Sequence, residues 1–299
     1  MKLAAIIIPY FGVWPEWFEL YLYSLGKNPL LTVIFFTDIP LKKSIHLPHN
    51  AKFINISFKD YCKNASEKLG IEFCPEHSFK LCDLRPFYPI IHKEELKGYK
   101  YIGWGDIDLV YGDLNKFIFN LFKHKYQIIS THSHIFSGHF TLIKNDPSVY
   151  EKIKNINNWE NFLTSKKNEI LDERGLAYFL TPKLNYIRFI FDKSGGFRGE
   201  FKRWTVFLMQ LSAKLLYPEY HLREMFTTVK TKEYHYYTYQ NGIVKNYMGK
   251  ELPYVHFYFF KKPNYKTQRT DFWKGNFYQI EEINDEVNII ISKDGIKSR

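Results

Sequence analysis

The stretch from Gly98 to Leu114, GYKYIGWGDIDLVYGDL, constrains this chain more than any other. Tyr101-Ile102-Gly103-Trp104 reads as a buried strand that runs straight into Asp106-Ile107-Asp108. Alternate residues of an extended chain point the same way, so Asp106 and Asp108 face one spot just past the strand's end. Two carboxylates aimed at one spot repel unless a cation lies between them. A hard divalent ion, Mn²⁺ or Mg²⁺, answers that need, because such ions take one or two protein carboxylates together with substrate phosphate oxygens. The same triplet also suits a solvated turn, and the rest of the chain decides between the two readings.

The flanking chain reads as α/β. Leu3–Ile8 is a short, continuous, β-branched run of the kind that forms a buried strand, and it ends in a turn at Pro9-Tyr10-Phe11-Gly12. Trp14–Leu25 has helical apolar spacing with Pro15 in its first turn, and Gly26 and Asn28-Pro29 stop it. Leu31–Phe36 is a second strand ending in Thr37-Asp38, which completes a βαβ unit. Ligands in open α/β sheets bind outside the carboxyl ends of the strands. Asp38 could there accept hydrogen bonds from a base or ribose, or it could cap the next turn. Ala51–Ile56 is a third strand and Asp60–Leu69 a short helix. A further helix opens at Lys80 and continues through Ile91. On it Arg85 offers a bidentate fork to phosphate oxygens. Lys80 can reach a diphosphate or pair with Asp83 three residues on.

After the aspartate pair, Asn115–Phe122 reads as a short helix and Gln127–Ser130 as a strand. Ser137–Ile143 is a turn into a buried strand, where Gly138 lets backbone approach a ligand closely and His139 reads as structural or as an acceptor contact. Val149–Phe162 is helical. Leu171–Phe179 starts with Asp172 and Glu173, acids that a helix N-terminus favours without any catalytic role. Phe197–Leu216 is a basic amphipathic helix with Phe201, Trp204, Leu208, Leu211 and Leu215 in one stripe. That stripe either packs on the main domain or lies on an anionic membrane. Lys232–Met248 reads as a hairpin, Tyr234–Tyr239 and Ile243–Met248 turning at Gln240-Asn241-Gly242. Tyr254–Phe260 is a buried strand carrying His256, followed by Lys261 and Lys262. These pieces divide into a core over 1–190, a helical and hairpin region over 191–270 that returns the His256 strand to the core, and a charged tail over 271–299 with one strand-like piece, Val287–Ser292.

The balance of 42 Lys+Arg against 31 Asp+Glu, a net charge of +11, favours anionic partners such as nucleotide phosphates or acidic lipid surfaces. Neither a zinc-finger spacing nor an RNP-type box is present, so nucleic acid is not the expected partner. The 19% aromatic content suits sugar stacking, and a compositional bias toward Phe and Tyr would produce it equally well. Cys62, Cys74 and Cys82 are an odd, ill-spaced set that fits a reducing cytoplasm better than a disulfide framework or zinc site. The longest apolar runs are too short for a membrane span. A cytoplasmic protein is therefore expected, touching the membrane only peripherally.

In order, Asp106-Ile107-Asp108, the Ser137–Ile143 strand, the acidic Asp172-Glu173 helix start and His256-Phe257 with lysines downstream resemble the motifs of GT-A glycosyltransferases. The retaining bacterial branch of lipopolysaccharide galactosyl- and glucosyltransferases, together with glycogenin, is the most similar. Residues 3–262 also resemble an uncharacterised bacterial family found with polysaccharide-biosynthesis genes. The resemblance implies a Rossmann-type mixed sheet flanked by helices, with a smaller C-terminal helical and hairpin region on the acceptor side. It implies Mn²⁺ or Mg²⁺ held by Asp106, Asp108 and His256. It also implies Lys80, Arg85, Lys261 and Lys262 on the diphosphate side, Tyr10 and Asp38 near nucleobase and ribose, Gly138 against the donor, and Asp172 and Glu173 beside the donor sugar. The donor would be a nucleoside-diphosphate sugar, preferably a UDP-sugar, and the acceptor a glycan or lipid-linked glycan of the cell surface, such as lipopolysaccharide or capsule. The chain departs from the branch in having Ser137-Gly138 in place of Asn-Ala-Gly, and Glu173 where Gln is frequent. A carboxylate beside the anomeric carbon could act as nucleophile or stabilise an oxocarbenium-like centre, which leans toward retention. Two other readings fit the bare residues: a nucleotidyltransferase or other phosphoryl-transfer enzyme, and a non-enzymatic glycan- or membrane-surface-binding protein.

Overall fold

The computed structural model describes residues 3–194, 201–227, 235–258 and 277–299. Its first eight strands are β1 (Ala4–Pro9), β2 (Leu31–Thr37), β3 (Ala51–Asn55), β4 (Tyr101–Gly105), β5 (Leu109–Tyr111), β6 (Ile128–Ser130), β7 (Phe140–Lys144) and β8 (Tyr220–Leu222). Seven of them form a mixed sheet in the order β3-β2-β1-β4-β7-β6-β8. From β3 to β4 the pairing is parallel; β7 is antiparallel to both neighbours, and β8 runs parallel to β6. The chain is thus α/β with a mixed sheet flanked by helices, as the βαβ pattern predicts.

Side-chain alternation along β1 builds two cores. Ala5 and Ile7 pack with Ile34, Phe36, Tyr61 and Leu84 on one face. Ala4, Ile6 and Ile8 pack with Val33, Phe35, Phe18 and Leu22 on the other. Both faces are covered, which is why the parallel strands are continuously apolar. Helix α1 (Phe18–Gly26) lies on the second face and α2 (Phe58–Leu69) on the first.

Several helices differ from their sequence expectation for identifiable reasons. Helix α1 begins at Phe18 rather than Trp14, and Trp14 stacks on Phe18 with ring centroids 3.9 Å apart. The Lys80–Ile91 stretch is a 3₁₀ helix over Ser78–Phe87 followed by one α-turn, α3 (Tyr88–Ile91). Pro86 and Pro89 lack the N–H that an α ladder needs there. Helix α4 (Leu114–Phe117) continues as a 3₁₀ turn. The Val149–Phe162 helix is broken into α5 (Pro147–Lys154) and α6 (Trp159–Thr164), with Asn158 in left-handed backbone between them. Beyond it come α7 (Leu176–Leu180), α8 (Pro182–Lys193) and α9 (Phe201–Leu216).

The remaining strands are β9 (Tyr236–Gln240), β10 (Ile243–Asn246), β11 (Glu251–Leu252), β12 (Tyr254–His256), β13 (Tyr278–Gln279), β14 (Ile289–Ser292) and β15 (Gly295–Ser298). β9 and β10 form the expected hairpin, and its turn residues Asn241 and Gly242 both have positive φ. The stretch expected to be a charged tail is instead structural: its described part supplies three strands of a six-stranded sheet ordered β11-β10-β9-β14-β15-β13. Ile289, Ile291 and Ile296 are buried there with Tyr237, Tyr239 and Trp17. Three isoleucines on short strands suffice for burial although charged residues dominate the composition around them.

Of the two placements open to the stripe on α9, packing on the main domain is not the one adopted. Val206, Met209 and Ala213 face the domain and are buried, whereas Trp204, Leu208, Leu211 and Leu215 are exposed. No described helix is long and apolar enough to cross a membrane.

Candidate functional site

The aspartate pair leaves the carboxyl end of β4, a central strand of the large sheet, where the Asp106 N–H donates to the His139 carbonyl at 3.2 Å. The chain then turns into β5, which pairs antiparallel with β12 in a register that sets His256 opposite Leu109. The Phe257 N–H donates to the Asp108 carbonyl at 3.2 Å and fixes that register at the site. A residue 148 positions downstream of Asp108 is thereby brought beside it. His256 Nε2 lies 3.4 Å from Asp108 Oδ1 and 3.9 Å from Asp106 Oδ2. One ligand atom from each of Asp106, Asp108 and His256 falls within 4.8 Å of the others. Ligands on opposite sides of a Mg²⁺-sized ion stand about 4 Å apart, so this triad could hold a metal ion. Two carboxylates and one imidazole form an oxygen-rich donor set suited to a hard or borderline divalent cation.

A second acidic group adjoins the first through Arg85. Its guanidinium donates to Asp106 Oδ1, to Asp172 Oδ2 at 2.7 Å and to the Gly138 carbonyl at 2.8 Å. Arg85 therefore faces the site, as its sequence position suggests, with its fork engaged by protein carboxylates. Asp172 is buried, and burial pushes its carboxyl up to about 7 against the opposing pull of Arg85. Glu173 is half-buried and accepts from the Gly138 N–H at 3.1 Å. A Cβ on Gly138 would lie 2.5 Å from Glu173 Oε1 and 3.1 Å from Asp172 Oδ2, so a side chain there would displace the two carboxylates. Asp172 and Glu173 sit on a π-turn, Leu171–Gly175, ahead of α7. The Arg85 pair, not a helix dipole, accounts for the burial of Asp172.

The other predicted residues separate into three groups. Tyr10, in the turn after β1, has its phenol pushed up to about 12 by burial and then by the Asp108 charge, so it lies within electrostatic reach of the aspartate pair. Asp38 is exposed just past β2, and the cap of that turn comes from Thr37 Oγ1, which accepts from the Ile39 N–H at 3.1 Å. Lys80 does not face the site. Its ammonium is buried, donating to Asp83 Oδ2 at 2.9 Å and to the carbonyls of Phe162 and Lys167. The pairing that the three-residue spacing allowed is the one adopted, and three acceptors around one ammonium compensate its burial. Lys261 and Lys262 lie outside the described residues.

Four further residues support the site, and to two of them, His139 and Asp83, the sequence reading gave only a structural or pairing role. Trp17 is buried and donates from Nε1 to the Ile107 carbonyl at 3.0 Å, so it holds the loop between the two aspartates. His139 is buried and stacks on His256 at 4.2 Å. His132 packs edge-on against His139 and pairs with Glu224 at 3.1 Å. Asp83 accepts from the Leu171 N–H and the Glu169 N–H, each at 2.9 Å, and so anchors the turn that carries Asp172. A partner 90 residues away leaves no local signal in the sequence.

Buried histidines give the fold an acid limit. Burial holds His92 down to about 3, and His134 and His221 to about 4. Each titrates near 6.5 when unfolded. The unfolded chain then takes up protons that the folded one refuses, so this stability is complete above about pH 6.5 and falls toward pH 4. Asp172 works in the opposite sense between about 4 and 7, because its folded carboxyl keeps a proton that the unfolded one releases. Burial holds His139 low as well, so the histidines outweigh Asp172, each worth up to about 1.4 kcal/mol per pH unit against a typical total of about 5–15 kcal/mol. Urea midpoints measured at stepwise lower pH should drop steeply below pH 6. A flat profile from pH 7 to 4.5 would contradict the assignment.

Fold and site together define an α/β protein with a candidate divalent-metal centre at the carboxyl end of its central strands. The chain belongs to a family of unknown function, DUF6625, whose model matches residues 6–286. No curated protein matches it.

Proposed function

We propose that this protein is a metal-dependent glycosyltransferase of the GT-A type. It transfers a sugar, with retention, from a nucleoside-diphosphate sugar (preferably a UDP-sugar) to a cell-surface glycan acceptor on the cytoplasmic side. The observation that carries this reading is the convergence of Asp106, Asp108 and His256 at the end of β4, with Arg85 joining the same site to the Asp172–Glu173 turn. Asp106, Asp108 and His256 would hold Mn²⁺ or Mg²⁺, which supplies charge neutralisation for a departing diphosphate.

The chain's own residues have distinct tasks in this reading. Arg85 keeps Asp106 and Asp172 in place and offsets their mutual repulsion. Glu173, less buried than Asp172, is the carboxylate that faces the donor sugar, and the Gly138 N–H orients it. Asp172 acts through Arg85 rather than on substrate. Tyr10 and the exposed Asp38, both past strand ends on the ligand-binding edge of the sheet, take the base and ribose.

A thermal-shift panel of UDP-, GDP- and CMP-sugars, each with Mn²⁺ and with EDTA, tests the proposal, because a ligand that binds only the folded state raises its stability. At least one nucleotide sugar should raise Tm with Mn²⁺ and not with EDTA. If none does, or if the shift is the same in EDTA, the reading fails.

A further inference from the structure

Helix α9 is apolar on two opposite sides. Its inner side, Val206, Met209 and Ala213, is fully engaged with the domain core. At about 100° per residue, Trp204, Phe207, Leu208, Leu211 and Leu215 fall on a single stripe centred opposite that inner side. All five are exposed, Trp204 by 69% and Leu215 by 71%. From Trp204 to Leu215 the ridge runs about 17 Å. The neighbouring α8 adds exposed Phe189 and Ile190, with Lys193 Nζ 4.6 Å from the Phe189 ring centroid.

Charge identifies the occupant. Helix α9 contains Lys202, Arg203 and Lys214 and no acid, and α8 contains Lys183, Arg188 and Lys193 against Asp192, so the pair carries a net +5. A second copy docked through the same face would set +5 against +5 at close range, which disfavours self-association there. An apolar ridge with a tryptophan on it, on helices whose charged residues are mostly basic, has the composition of helices that lie in the interface of an anionic bilayer. We infer that the outer face of α8 and α9 is a membrane-docking surface that seats the protein on anionic lipid, with the α9 stripe entering the headgroup–acyl boundary. This assignment stands independently of the reaction proposed above.

Sedimentation of the full chain with phosphatidylcholine vesicles, with and without phosphatidylglycerol, tests it. The protein should pellet with the mixed vesicles at low salt, be released by high salt, and stay in solution with neutral vesicles. The double substitution Leu211→Glu and Leu215→Glu should weaken binding to the mixed vesicles by at least about tenfold, since charge is placed where apolar side chains enter the lipid. Its melting temperature should be unchanged, both sites being solvent-exposed. Trp204→Ser is the milder variant to use if the double one does not fold, and it should weaken binding in the same direction. Failure of the wild type to bind anionic vesicles overturns the inference, and so does a folded variant that binds as well as wild type. A wild-type dimer that these substitutions dissolve would assign the face to a second copy and overturn the lipid assignment too.

Discussion

Asp108→Ala is expected to abolish the Mn²⁺-dependent stabilisation of the protein by nucleotide sugar. Asp108 is almost completely buried, and its Oδ1 stands 3.4 Å from His256 Nε2, so it is the most enclosed oxygen donor of the triad. Asp106 cannot replace it, because one of its oxygens is engaged by Arg85. At a ligand concentration one hundred times Kd, binding contributes about 2.7 kcal/mol to stability. A hundredfold loss of affinity leaves about 0.4 kcal/mol of that, so the shift in Tm should nearly vanish. The metal-free protein should behave differently. Asp108→Asn keeps the side-chain shape, leaves the Phe257 N–H bond to the backbone carbonyl intact and removes one of two crowded negative charges. Its melting temperature without metal should equal or exceed that of wild type. His256→Ala should reproduce the loss of Mn²⁺ binding. Titration calorimetry with Mn²⁺ alone checks both variants, and wild-type affinity in Asp108→Ala would remove the metal centre from the account.

The parts of this site that the sequence made legible are those fixed by short-range periodicity. The two-residue alternation on an extended chain aims Asp106 and Asp108 at one spot, and the apolar run before them marks a central strand. His256 was reachable only through resemblance, since no local pattern connects it to Asp108; the β5–β12 register does that. Trp17 illustrates the same limit. Its helical spacing predicts packing, and it does pack, but its indole N–H also reaches the Ile107 carbonyl in a loop ninety residues away. Helix α9 marks a different limit. Its sequence contains two apolar stripes, and periodicity has no means of choosing the one that faces the core. The Lys80–Ile91 helix failed because hydrophobic spacing outvoted two prolines. Of the closing strands, β14 lies within the strand-like piece Val287–Ser292, whereas β13 and β15 were hidden by the charged residues around them. Each miss is a choice between partners distant in sequence, except the proline error, which local chemistry could have corrected.

Asp83→Ala carries the largest stability effect expected from one substitution. Asp83 is completely buried and does three things at once: it neutralises Lys80, and it accepts the N–H groups of Glu169 and Leu171. Removing one member of a buried ion pair leaves the other charge uncompensated, at a cost of about 3–5 kcal/mol. Each orphaned backbone N–H adds about 1–3 kcal/mol where water cannot reach it. Lys80 retains its bonds to the carbonyls of Phe162 and Lys167, so the bottom of the combined range, about 5 kcal/mol, is the expected loss. That is a large share of a typical domain's stability, and urea denaturation would register it as a lower midpoint with an unchanged slope. The effect should reach the site as well. The two N–H groups that Asp83 holds begin the turn bearing Asp172 and Glu173, and through Asp172 that turn is tied to Arg85 and Asp106. Amide exchange at Glu169 and Leu171 should therefore accelerate in Asp83→Ala beyond what its global stability predicts. Lys80→Met combined with Asp83→Leu separates the two contributions, since it removes both charges and restores apolar volume. Recovery of most of the lost stability with exchange at Leu171 still fast would locate the energy in the ion pair and the positioning in the two backbone bonds. A single Asp83→Ala cost below about 1 kcal/mol would show that water reaches the pair and that the turn is held by something else.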